Sequence, residues 1–123
     1  MDNKKIDVDK ILEICNGELI VGDRKKEITS FSKDTRTIQN GDMYLAIKGD
    51  RVNGNNYIEN AFEKGAIGCI TDEEINKNII NKYNNKIIIK VKDTIKALQN
   101  LAKYKRSMYD IPVIAVTGSV RKN

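Results

Sequence analysis

The sequence predicts an α/β fold: a small mixed β-sheet with helices packed on it. Three observations carry that expectation. Short apolar runs bounded by glycine and polar turns recur along the chain, at residues 18–21, 28–32, 42–48, 67–71, 86–91 and 112–117. Between several of them lie segments whose apolar residues repeat at helical spacing. The order strand, helix, strand through residues 42–71 is that of a crossover joining parallel strands.

Composition sets the outer limits. The chain has 123 residues, with 40% hydrophobic and 32% charged, enough for one core in an ordinary globular protein. No apolar run approaches the ~20 residues of a membrane span. The opening MDNKKIDVDK lacks the apolar core of a signal peptide, so a cytoplasmic location is the expectation. The net charge is +5, from 22 basic and 17 acidic residues, but the cations are scattered and no RNA-binding signature surrounds Phe31 or Phe62. A nucleic-acid partner is therefore not expected. There is no histidine, which excludes histidine bases and histidine zinc ligands, and no metal-ligand set is expected. Cys15 and Cys69 fall in apolar patterns and read as buried free thiols.

Taken in order, residues 6–16 read as a helix. Asp7 caps it, and Ile6 staples to Ile11 across the cap. Val8, Ile11, Leu12 and Cys15 form its buried stripe, and Gly17 closes it. Residues 18–21 form a strand and Gly22-Asp23 a turn. A second strand, 28–32, delivers Asp34-Thr35-Arg36. Residues 42–48 form a third strand, and a helix over 55–64 turns Tyr57, Ile58, Ala61 and Phe62 inward before Gly65. Residues 67–71 are a short buried strand. Residues 72–85, rich in asparagine and lysine, read as a short helix or an irregular link. After the strand at 86–91, Asp93 caps a long helix with Ile95, Leu98, Leu101, Ala102 and Met108 inward. Pro112 to Thr117, PVIAVT, reads as a strand of the kind buried in a parallel sheet.

The stretch FSKDTRTIQNGDMYLAIKGDRVNGNNY, residues 31–57, brackets a strand with two polar, glycine-containing loops. An α/β domain presents a small anionic ligand in that way. Asp34-Thr35-Arg36, Gly41-Asp42, Ala46-Ile47-Lys48-Gly49 and Asn53-Gly54 together resemble the N-terminal domain of the Mur ligases, ATP-dependent amide-bond ligases of peptidoglycan synthesis. The family pattern carries serine where Thr35 stands, commonly proline at Asn40, and aspartate at Asn53. The resemblance continues through residues 93–120.

The chain ends Thr117-Gly118-Ser119-Val120-Arg121-Lys122-Asn123, a strand expectation running into the opening of a phosphate-binding loop. Thr117, Gly118, Ser119 and Lys122 fit the short loop of the Mur ligases. Arg121 stands where glycine lets the backbone curl around phosphate, and Asn123 where a hydroxyl ligates Mg²⁺.

The resemblance implies two units: residues 1–91 binding the uridine diphosphate end of a UDP-muramoyl-peptide, and residues 92–123 opening an ATP-binding domain. It implies substrate contacts from Lys33, Asp34, Thr35, Arg36, Gly49, Asp50, Arg51 and Val52. Among these, Lys33 approaches the uracil, and Arg51 is the preferred diphosphate contact because a guanidinium bridges two phosphate oxygens. Gly49 and Gly54 would let the backbone pass close to the ligand. A local reading stays open beside it: Asp34 and Thr35 forming a turn, with Arg36 paired to Asp34. ATP and Mg²⁺ would serve the full-length enzyme, with Lys122 as the phosphate-binding lysine; no cofactor is expected on these 123 residues, which alone should be inactive. Within the family, Ser119-Val120 and the run DTIKALQNLAKY most resemble the members that add D-alanyl-D-alanine to UDP-N-acetylmuramoyl-tripeptide. Members that add the third stem-peptide residue, and a non-catalytic UDP-sugar-binding module, are the alternatives.

Overall fold

The computed structural model describes the backbone of residues 5–117 and the side chains of residues 5–108. In chain order the elements are β1 (Ile6–Asp7), α1 (Val8–Cys15), β2 (Glu18–Val21), β3 (Glu27–Ile28), β4 (Phe31–Ser32), β5 (Met43–Leu45), α2 (Ile58–Glu63), β6 (Gly68–Thr71), α3 (Lys77–Lys82), β7 (Ile87–Lys90) and α4 (Thr94–Thr117). Short 3₁₀ turns cover Thr35–Thr37 and Gly54–Tyr57.

The main sheet has five strands in the order β2-β7-β6-β5-β4. Strands β4 to β7 run parallel, and β2 closes one edge antiparallel to β7. The apolar strands β5, β6 and β7 are buried on both faces, as their near-continuous hydrophobicity requires. Alternation then sorts their side chains into two cores. Met43, Leu45, Ile70, Ile87 and Ile89 face one side, where Val8, Ile11, Leu12 and Cys15 of α1 meet Ala97 and Leu101 of α4. Tyr44, Cys69 and Ile88 face the other, against Ala61 and Phe62 of α2 and the half-buried Ile79 and Ile80 of α3.

Strand β2 serves both cores. Leu19 pairs with Ile89 and Val21 with the very next residue, Ile88. Ile20 is thus the extra residue of a β-bulge. Leu19 packs on the α1/α4 side and Val21 on the α2/α3 side, although residues two apart on a regular strand share a face.

Several expectations need correction. The helix begins at Val8, not Ile6; Ile6 lies in the same core cluster as Ile11 and pairs with Ile28 in a separate two-stranded ribbon, β1–β3. The apolar run 28–32 therefore divides, Ile28 going to the ribbon and Phe31–Ser32 to the main sheet. Asp7 does cap α1, accepting from Lys10 N at 2.8 Å. The left-handed position at its end belongs to Asn16 (φ 53°), not Gly17; asparagine is among the few residues that tolerate it.

Asp93 caps α4 as expected, accepting from Ile95 N at 2.9 Å and Lys96 N at 3.1 Å. The buried face of that helix is Thr94, Ala97 and Leu101, flanked by Leu98, Tyr104 and Met108. Ile95 is 49% exposed and Ala102 also faces solvent. Ala97 meets α1, its carbonyl lying 3.9 Å from Cys15 Sγ, and the helical period then carries Ile95 outward.

The expected strand at residues 112–117 is helical and continues α4. A strand satisfies its amides only through a neighbouring strand, and among the described residues none lies beside this segment. A helix satisfies them internally, apart from the bond that Pro112 cannot make. Thr117 closes the helix, while Gly118, Ser119 and Lys122, the other residues assigned to a phosphate loop, lie outside the described residues. Among the described residues no helix is long and apolar enough to cross a membrane.

Candidate functional site

Parallel strands β4 and β5 end on the same side of the sheet, and the chain leaves each in a polar loop. Between those loops lies a cavity of about 560 Å³ lined by Lys33, Asp34, Thr35, Arg36, Tyr44, Ile47, Gly49, Val52, Gly54 and Tyr57. That volume suits a small molecule, and the carboxyl ends of parallel strands are where α/β sheets bind ligands.

The first wall is built on Asp34. Its Oδ1 accepts from Arg36 N at 2.9 Å and caps the 3₁₀ turn Thr35–Thr37. The Arg36 guanidinium folds back on the same carboxylate, Nη2 to Oδ2 at 2.7 Å and Nε to Oδ1 at 3.1 Å. Ser32 Oγ and Thr37 Oγ1 both donate to the Asp34 carbonyl, at 3.0 and 3.2 Å. The side-chain and backbone hydrogen bonds from Arg36 bring the Asp34 carboxyl down to about 2, and Asp34 holds the Arg36 guanidinium above its ordinary value. The local reading of this triplet is thus realised: Arg36 lines the cavity with its charge already matched. Lys33 lines the same wall with an amine that has no carboxylate partner among the described residues, and the Thr35 hydroxyl likewise has no protein partner there.

The second wall is a small hairpin. Lys48 bridges Asn53, Gly49 N donates to Val52 O at 2.7 Å, and Gly54 N donates to Ile47 O at 2.8 Å. A Cβ at Gly54 would stand 2.7 Å from both the N and the O of Ile47. The glycine is required by the closure of the hairpin on its own backbone, and it also lines the cavity. Asp50 and Arg51 are exposed at the hairpin tip and do not line the cavity; Gly49 and Val52 do.

Tyr44 and Tyr57 are site residues that sequence reasoning misses. Tyr44 alternates away from Met43 and Leu45, and its buried hydroxyl donates to Gly54 O at 2.9 Å, pinning the hairpin to β5. Burial above all raises the Tyr44 phenol to about 12. Helical spacing puts Tyr57 on the inward face of a helix over 55–64. It stands instead in the 3₁₀ turn before α2 and is 40% exposed. The alternation of residues 43–45 is a usable signal for Tyr44; nothing in the local pattern marks Tyr57.

Behind the hairpin a polar network sets the entry to α2. Asn53 Oδ1 accepts from Asn55 N at 3.0 Å, Asn53 Nδ2 donates to Glu73 at 3.0 Å, and the buried Thr71 hydroxyl donates to Asn55 Oδ1. Asp42, of the Gly-Asp turn, is also structural: it accepts from Ser30 Oγ and from Gln39 N. Both cysteines are free and buried, and burial lifts their thiols, Cys15 to about 11 and Cys69 to about 12. Among the described residues no three His, Cys, Asp or Glu side chains group to hold a metal ion.

The domain is a mixed-sheet α/β unit whose cavity, at the ends of its parallel strands, is lined in part by cations and in part by aromatic side chains. The chain belongs to the Mur ligase family: residues 27–106 match the model of the Mur ligase family catalytic domain. It is 32% identical over 116 residues to a UDP-N-acetylmuramoyl-tripeptide–D-alanyl-D-alanine ligase of Synechocystis, a match covering 94% of this chain and 25% of that protein. The corresponding ligase of Rickettsia prowazekii is 38% identical over 96 residues, 78% of this chain and 19% of that one. A UDP-N-acetylmuramoyl-L-alanyl-D-glutamate–2,6-diaminopimelate ligase of Phocaeicola vulgatus is 32% identical over 114 residues, 91% of this chain and 23% of its own length. The chain therefore spans about a quarter or less of the curated relatives it matches. The crystal structure of MurF from Acinetobacter baumannii shares the fold, with TM-score 0.72 at 22% identity over 88% of this chain and 22% of that one.

Proposed function

We propose that this chain is the substrate-holding N-terminal part of a ligase that adds D-alanyl-D-alanine to UDP-N-acetylmuramoyl-tripeptide, and that its cavity takes the uridine diphosphate end of that substrate. In this reading residues 1–91 form the binding unit, and residues from 92 onward lead into an ATP-binding unit. The observation that carries it is the cavity itself, which gathers Lys33, Asp34, Thr35, Arg36, Gly49 and Val52 from two separate loops. The relatives named as D-alanyl-D-alanine ligases support the choice of reaction. The diaminopimelate ligase match supports the second reading, a ligase adding the third stem residue. In either reaction ATP would activate the terminal carboxylate as an acyl phosphate, which the incoming amine attacks with release of phosphate. The described residues hold the substrate and do not carry that step, so the chain alone should be inactive.

The geometry changes the weighting of the cations. Arg36 is engaged by Asp34 and Arg51 sits at the hairpin tip, which leaves Lys33 as the lining cation for the diphosphate. The test is titration of the ¹⁵N-labelled chain with UDP-N-acetylmuramoyl-tripeptide. Shifts are expected within residues 33–57. Lys33→Ala should weaken binding by roughly tenfold, the scale of one charge-assisted hydrogen bond, and Arg51→Ala by less. Shifts confined to other residues would overturn the site.

A further inference from the structure

We infer that Asn53 is the positioning residue of the hairpin wall: a closed ring of hydrogen bonds through Glu73, Thr71 and Asn55 fixes its side chain, and through it the presentation of Gly49, Val52 and Gly54 to the ligand. The inference rests on the proposed reading of the cavity as a substrate site and assigns to that site a residue that does not line it.

The ring can be followed bond by bond. The Thr71 hydroxyl donates to Asn55 Oδ1. Asn55 Nδ2 donates to Asn53 Oδ1 at 2.8 Å. Asn53 Nδ2 donates to Glu73 Oε2 at 3.0 Å. Glu73 N then donates to Thr71 Oγ1 at 3.1 Å, which closes the circuit. Every donor points the same way round, so each bond polarises the next. Thr71 is fully buried and the other three residues are half-buried, where such bonds are stronger than in water.

Asn53 is the member that joins the ring to the cavity. Its backbone bridges Lys48 at the base of the hairpin, and its chain neighbours Val52 and Gly54 both line the cavity. Val52 O in turn holds Gly49 N. The hairpin's other tie to a separate element is the Tyr44 hydroxyl on Gly54 O, so the ring is what links this wall to the end of β6. The side chain at position 53 has to accept from Asn55 on one side and donate to a carboxylate on the other. An amide of this size does both. An aspartate would only accept, and would set its second oxygen against Glu73.

The test titrates UDP-N-acetylmuramoyl-tripeptide into the ¹⁵N-labelled full chain and into Asn53→Asp, Glu73→Gln and the double variant, with circular dichroism verifying that each folds. Asn53→Asp should lower affinity roughly three- to tenfold, the scale of one lost hydrogen bond. Glu73→Gln exchanges a charge-assisted bond for a neutral one and should lower it about twofold. In the double variant the new amide at position 73 donates to the new carboxylate at position 53, every junction of the ring is bonded again, and affinity should return to within about twofold of the parent. Independent losses would multiply instead; a double variant weaker than Asn53→Asp would overturn the positioning role. An Asn53→Asp affinity equal to the parent's would overturn it too, and either result leaves the proposed site standing. Should Asn53→Asp fail to fold, Glu73→Ala, a change outside the helices and strands, takes its place: a loss of roughly threefold or more is expected, and equal affinity would overturn the role. Parent shifts confined to residues outside 33–57 would overturn the proposed site and the inference together.

Discussion

Tyr44→Phe isolates one bond that holds the site in shape. The substitution keeps the ring and so opens no cavity in the core around Cys69 and Ile88. What it removes is the donor at 2.9 Å from Gly54 O, in a place where Tyr44 is 2% exposed and Gly54 is buried. A buried acceptor left without a donor costs ~1–3 kcal/mol. Gly54 borders the cavity, so a water molecule can partly replace the lost donor, and the expected cost falls at about 1–2 kcal/mol. That is a sizeable share of the ~5–15 kcal/mol by which a domain of this kind is stable. Urea unfolding followed by far-ultraviolet circular dichroism measures it, and faster amide exchange at Gly54 would place the loss in the hairpin. Alkaline titration supplies a second reading. The folded phenol is raised to about 12 from an ordinary value of 10.0, so it adds stability below pH 10 that is lost as pH climbs toward 12. Phenylalanine has nothing to lose, and the gap between parent and variant should narrow across that window. A stability change under about 0.3 kcal/mol, with unchanged exchange at Gly54, would refute the claim that this bond pins the hairpin.

Two further outcomes follow from the geometry. Gly68→Ala would place a Cβ 2.7 Å from Ile87 Cβ and against the Ile87 carbonyl, forcing β6 and β7 apart; a loss of about 2 kcal/mol or more, or roughly 8 °C in Tm, is expected, and an unchanged Tm would contradict the strand spacing. The Asp34 carboxyl should titrate near 2 instead of 3.8, so the capped turn persists above the ordinary value and is lost as pH falls through the lower one. Arg36→Gln should move that midpoint back up, as read from the backbone amide shift of the substituted residue, and a parent midpoint near 3.8 would rule out the ion pair.

The sequence makes some of this visible and hides the rest for definable reasons. Helix α1 and strands β2 and β7 are legible because their patterns are local: a stripe at Val8, Ile11, Leu12 and Cys15, and runs bounded by turns. The division of residues 28–32 is not, since it depends on Ile6 claiming Ile28 from a distance in the chain. Weighting Ile95 over Thr94 and Ala97 misjudges the phase of α4; the buried positions are Thr94, Ala97 and Leu101, and Ala97 and Leu101 are the ones that share a core with α1. Residues 112–117 carry a strand's composition without a strand beside them, and composition cannot supply the partner. In the site, Lys33, Asp34, Thr35 and Arg36 are legible as a loop after a strand. The commitment of Arg36 to Asp34 is an open alternative until distances decide it. Tyr57 is hidden because a 3₁₀ turn, not the first turn of α2, sets its direction.

The bulge at Ile20 has a consequence at the rim of the molecule. Strand β2 is a sheet edge, and an unbroken edge offers a row of amides and carbonyls on which a strand from another chain can zip. Inserting one residue between Leu19 and Val21 shifts the repeat of that row midway along a strand of only four residues. An incoming strand in register with Glu18 and Leu19 is out of register by Val21. One residue that lets β2 serve both cores thereby also denies the sheet a sixth strand on that side.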